Sequence, residues 1–166
     1  MTAEVVERFR HPGVDVEALG DRSQRILQLL DVRERPLSVA LVDDAEIRAL
    51  NLRWRGQDRP TDVLSFGQGE PEGGPIAGAP PPPLGDVIIS VERAEVQARE
   101  RDASLGGVGY ALLDELTFLA LHGVLHLLGH DHERDDEAEV MEALEARIFA
   151  EFSVYPPRPH HREGAQ

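Results

Sequence analysis

The chain has 166 residues, 41% of them hydrophobic, a formal net charge of −14 and no cysteine. Such a chain is long and apolar enough for one globular domain with a buried core, while the missing cysteine excludes disulfides and thiolate metal sites. The negative balance excludes loose, charge-driven attachment to nucleic acid, although a local basic groove remains compatible with it.

All seventeen basic side chains are arginines. An acidic N-terminus and the lack of a charge-free apolar run of about twenty residues argue against a signal peptide or a membrane span, so a cytoplasmic protein is expected.

In chain order, residues 2–9 carry Val5, Val6 and Phe9 among charges and predict a short edge strand. Between 14 and 30, Val16, Leu19, Ile26, Leu27 and Leu30 recur at helical spacing, and Pro36 ends that segment. Residues 37–42 alternate and are branched, predicting a strand. Asp43 or Asp44 caps the next helix, which runs out near Trp54 with Ile47 and Leu50 facing inward. A turn-rich loop spans 55–62, followed by a strand at 63–66. The glycine- and proline-rich stretch 67–83, with four prolines at Pro80 to Pro83, reads as an extended surface loop.

Residues 84–90 form the clearest strand, and Ser90 caps a helix from 91 to about 101 with a thin apolar side. A glycine-rich connection covers 102–109. Residues 110–128 are apolar nearly all round, the mark of a central buried helix. A last helix spans 133–152, with Val140, Met141, Leu144, Ile148 and Phe149 as its core stripe. Residues 156–166 read as a disordered tail, in which His160 and His161 are incidental. Strands and helices alternate without strict βαβ order, which predicts an α+β domain with a small mixed sheet packed by helices.

Four of the seven histidines lie in His122-Gly-Val-Leu-His-Leu-Leu-Gly-His-Asp-His132. On a helix, His122 and His126 share one face about one turn apart. Gly129 can take a positive φ and turn the chain back, so that His132 completes a set of three imidazoles. Three neutral imidazoles on zinc leave a fourth position for water, which is the arrangement of a catalytic rather than a closed structural site. His130 reads as a surface or supporting residue. The spacing is similar to that of metzincin proteases, but Gly123 stands where those enzymes place a glutamate base, and peptide hydrolysis loses its proton shuttle.

Two further groups stand out. Arg53, Arg55 and Arg59 surround Trp54 and the following loop; guanidinium forks suit phosphate and the indole can stack on a base, whereas the alternative is solvation or pairing with Asp58 and Asp62. Asp86, at the start of a buried strand, either caps a turn or orients a ligand histidine.

Three motifs, Asn51 to Phe66 (NLRWRGQDRPTDVLSF), Leu84 to Glu95 (LGDVIISVERAE) and His122 to His132, together resemble the YbeY family of bacterial rRNA-maturation endoribonucleases. The resemblance implies a metzincin-like α+β fold over residues 1–155, one zinc ion on His122, His126 and His132, and Arg55 as the functional arginine. It further implies cleavage of single-stranded RNA, maturation of the 16S rRNA 3′ end and a part in ribosome quality control. Family members often carry tyrosine at the position of His130 and proline at that of Gly67.

On this reading Arg55, with Arg59 and Trp54, contacts RNA and phosphate. Asp131 or metal hydroxide is the candidate base, since position 123 offers none. RNA rather than DNA is the expected nucleic acid, presented by the ribosome or a ribosomal protein because the net charge is unfavourable. The rival expectation is a ribosome-assembly factor that binds RNA and protein with a mainly structural zinc. A metallopeptidase is a distant third.

Overall fold

The computed structural model describes residues 1–68, 73–74 and 76–156. Nine elements are seen among these: β1 (Ala3–Glu7), α1 (Val16–Leu29), β2 (Leu37–Val42), α2 (Asp44–Arg55), β3 (Val63–Gly67), β4 (Gly85–Ser90), α3 (Val91–Ser104), α4 (Leu112–Leu127) and α5 (Asp135–Phe149). The strands form one mixed sheet in the order β1-β2-β4-β3. β1, β2 and β4 are parallel, and β3 runs antiparallel along β4, with Val63 opposite Ile89 and Gly67 opposite Gly85. The α+β expectation and the edge position of β1 both hold.

Side-chain alternation gives the sheet two covered faces. Val39 and Leu41 of β2 and Val87 and Ile89 of β4 join the main core with α1, α3, α4 and α5. Val42, Leu64, Phe66 and Ile88 face the other way and pack with Ile47 and Leu50 of α2.

Local chemistry explains the helix boundaries. Asp15, Asp43 and Ser90 accept backbone N–H groups at the starts of α1, α2 and α3. Gly56, at φ +69°, ends α2. α4 begins two residues later than its apolar run because Tyr110 lies outside the helix, its hydroxyl donating to buried Glu115 at 2.9 Å. Asp114 accepts the Ala111 N–H and closes that start. The rest of α4 is buried almost all round, from Glu115 to Leu125 with only His122 partly open.

The core stripe of α5 differs from expectation. Val140 is 58% exposed, and the buried set is Ala138, Met141, Glu145, Ile148 and Phe149. Glu145 therefore occupies a core-facing position. The stretch 67–83 lies partly outside the described residues, and the expected tail after Pro156, including His160 and His161, lies wholly outside them.

Candidate metal centre

α4 approaches the sheet unusually closely at Gly123. A Cβ there would sit 2.5 and 2.8 Å from the two methyls of Val87 and 3.1 Å from Ser65 Oγ, and Ser65 Oγ donates to the Gly123 carbonyl at 3.1 Å. The position that would hold a glutamate base in a metzincin is thus filled by the sheet. With Gly123 turned inward, the neighbouring face of α4 carries His122 and His126, whose Nε2 atoms lie 3.0 Å apart.

The helix ends as the glycine predicts. Gly129 has φ +93°, its N–H donates to His126 O, and the His130 N–H donates to Leu125 O, both at 3.0 Å. This is the two-bond closure of a Schellman motif. The chain then folds back, and the His132 ring comes to 5.7 Å from that of His122 and 5.2 Å from that of His126. On this return Asp131 Oδ1 accepts the N–H of the following His132 at 2.7 Å.

One nitrogen from each of His122, His126 and His132 lies within 4.8 Å of the others. Imidazole nitrogens ~2.0–2.1 Å from a tetrahedral zinc would be about 3.3 Å apart, so small side-chain movements bring this set onto one ion. Electrostatics favour the ligating form. Burial first, then the positive tendency of His122 and His132, push the His126 pKa down to about 4, leaving a neutral ring with a bare lone pair at neutral pH. The cluster could therefore hold a metal ion on three imidazoles. His130 is outside that set and lines a neighbouring cleft of about 260 Å³ with Gly129, Asp131, Asp136, Glu137 and Val140.

A carboxylate does face one of the three convergent histidines, but it is not Asp86. Asp86 shares the face of β4 that carries Ile88 toward α2, opposite to Val87 on Gly123. The partner of His122 Nδ1 is Glu145 Oε2 of α5, at 3.2 Å. Reading the sequence missed it. The available signal was an acid inside an apolar helical stripe.

The arginine group lies at the C-terminal end of α2. Arg53 lies over Trp54, 5.0 Å from the ring centroid, and Trp54, 61% exposed, is 6.3 Å from the Phe66 ring. Arg55 is exposed at the last helical residue. Arg59 donates from Nε and a terminal nitrogen to Gln57 Oε1 at 3.2 and 3.0 Å. The acids that might have neutralised this group bond elsewhere: Asp58 binds Arg48 at 2.8 Å, and Asp62 accepts from Val63 N and Gln97.

The two groups share one end of the sheet. Trp54 meets Phe66 on one face of β3, and a Cβ at the next residue, Gly67, would lie 3.7 Å from Leu127 of α4, next to His126. The C-terminal end of the edge strand β3 thus meets the tryptophan of α2 through Phe66 and the last residue of α4 through Gly67.

An α+β domain with three convergent imidazoles at the end of its central helix has the donor set of proteins that hold a metal ion on a His-x-x-x-His helix. The comparisons identify which. The family model described as Endoribonuclease YbeY matches residues 10–153, and the chain belongs to that family. It is similar to the endoribonuclease YbeY of Bradyrhizobium diazoefficiens, with 46% identity over 76% of this chain and 66% of that protein. It is also similar to that of Persephonella marina, with 40% identity over 82% and 90%. The solution structure of TM1509 from Thermotoga maritima shares the fold, with a TM-score of 0.54 and 24% identity over 90% of both chains. No helix among the described residues is long and apolar enough to cross a membrane.

Proposed function

We propose that this chain is a zinc-dependent endoribonuclease that cleaves single-stranded RNA and acts in maturation of the 16S rRNA 3′ end and in ribosome quality control. One observation carries the reading: three imidazole donors converge within 4.8 Å in a chain of the endoribonuclease YbeY family. Zinc on His122, His126 and His132 would supply Lewis-acid polarisation of a phosphate oxygen and a source of hydroxide.

The chain's own residues divide the remaining work. Arg55, exposed at the end of α2, stabilises charge developing on the phosphate, with Arg59 in a weaker part because Gln57 already engages it. Trp54 offers an exposed indole for base stacking beside Arg53. Asp131 is the candidate to hold a proton, and its bond to the His132 N–H keeps it beside the histidines. The −14 net charge means that RNA is gripped locally, with the ribosome or a ribosomal protein presenting it.

Metal analysis coupled to cleavage of a single-stranded RNA by wild type and His122→Ala tests the proposal. Expected are one zinc per chain and cleavage in wild type, with both lost in the variant. Cleavage that persists in zinc-free His122→Ala overturns it. End-group analysis of the product separates two nucleophiles: a 2′,3′-cyclic phosphate assigns the RNA's own 2′-hydroxyl, and a 5′-phosphate paired with a 3′-hydroxyl assigns water.

A further inference from the structure

Glu145 is 1% exposed and sits on the core-facing side of α5, between Met141 and Ile148. A carboxylate in that position is unfavourable unless a charged or hydrogen-bonding partner compensates its desolvation. Its Oε2 faces Nδ1 of His122 at 3.2 Å, while Nε2 of the same ring faces His126 at 3.0 Å. The His122 ring is thus held between a buried carboxylate on one side and the convergent nitrogens on the other. The Phe118 ring, 6.0 Å away, contributes an apolar wall.

We infer that Glu145 is a positioning residue: it accepts a hydrogen bond from His122 Nδ1–H, fixes that tautomer and leaves Nε2 bare to bind metal. A neutral imidazole carries one N–H, so a carboxylate that takes it at Nδ1 forces the lone pair onto Nε2. The same bond stops the ring from flipping and adds negative charge behind a ligand set that has none of its own. α5 is thereby coupled to the metal site across 23 residues of sequence. This inference rests on the metal reading of the histidine cluster.

The test combines zinc titration against a chromophoric chelator with long-range proton–nitrogen spectra of the histidine rings, using the full chain. Wild type is expected to bind zinc and to show His122 protonated at Nδ1. Glu145→Gln, which keeps the volume and removes the charge, is expected to fold and to bind zinc about 10- to 100-fold more weakly. Glu115→Gln, at the other acid buried among the described residues, controls for general loosening of the core and is expected to leave zinc affinity unchanged. Equal zinc affinity in wild type, Glu145→Gln and Glu145→Leu, the last of which removes the acceptor as well as the charge, overturns the positioning role while the metal reading stands, as does an equal loss in Glu115→Gln. If Glu145→Gln does not fold, the wild-type spectrum decides, and a His122 proton on Nε2 overturns the inference. Failure of wild type to bind zinc removes both readings.

Discussion

Gly123 of α4 and Val87 of β4 are in such close contact that a single added carbon would lie 2.5 Å from a Val87 methyl. Val87 is fully buried and branched at Cβ, so it has little rotamer freedom with which to yield. Alanine at position 123 would gain about 1 kcal/mol in helix propensity, but overpacking of this kind costs about 1–3 kcal/mol. Gly123→Ala is therefore expected to lose stability, seen as a lower urea midpoint. Gly123→Glu is expected not to fold, so restoring the metzincin glutamate does not restore a peptidase. In Gly123→Ala/Val87→Ala the space is returned, and the double variant should be more stable than the sum of the single effects. Simple additivity would show that the contact is soft.

The same contact shows where sequence reading reaches and where it stops. The spacing of His122 and His126 and the turn at Gly129 are legible because helical periodicity and the steric rule for positive φ are local properties. The absence of a base at position 123 is legible too, but its cause, the close approach of β4, is a tertiary fact. Asp86 could have faced either way until pairing with β2 and β3 fixed which side of β4 meets α4. Glu145 resembles any solvent-facing acid until α5 is docked against α4, and then it is a buried partner of His122. Val140 fails for the mirror reason, since its apolar side chain fits the periodicity of a core stripe yet faces away from the core once α5 is docked.

His132 lies on the exposed side of the site, after the helix has ended, whereas His122 and His126 are part of the packed helix. Its removal should therefore separate metal binding from folding. Metal-free His132→Ala is expected to match the urea stability of metal-free wild type within about 0.5 kcal/mol, as surface substitutions do. Added zinc at a thousand times the wild-type dissociation constant should stabilise wild type by about 4 kcal/mol, and the variant by much less. Equal stabilisation of both proteins would remove His132 from the ligand set.

In the metal-free protein, His126 has a folded pKa lowered to about 4 by burial and by its histidine neighbours. An unfolded histidine titrates near ~6.5. Between these values the unfolded chain binds the extra proton and the folded chain does not, so stability rises with pH. The contribution is complete above the unfolded pKa and is lost as pH falls through the folded one. Thermal melts in chelator from pH 7 down to pH 5 should show wild type losing stability, and His126→Gln losing less over the same range. That window lies above the ordinary carboxylate range, so the difference between the two proteins reports the histidine. Parallel curves would contradict a half-buried, neutral His126.

Trp54 is the chain's single tryptophan, and it is 61% exposed beside Arg53 and Phe66. If RNA stacks there, its fluorescence is quenched on binding, and the signal comes from the proposed contact and nowhere else. Trp54→Ala should weaken single-strand binding by about 1–3 kcal/mol, the usual loss of one base stack. Arg55→Ala should lower cleavage and reduce the salt dependence of binding by about one phosphate contact. Arg59→Ala should do less, because Gln57 already accepts two of its N–H groups and its guanidinium is held against its own loop. None of the three substitutions touches the histidines, so zinc content is expected to be unchanged in each. Titration of a short single strand that quenches nothing in wild type, with cleavage intact, would move the RNA path away from α2 and leave the metal site where it is.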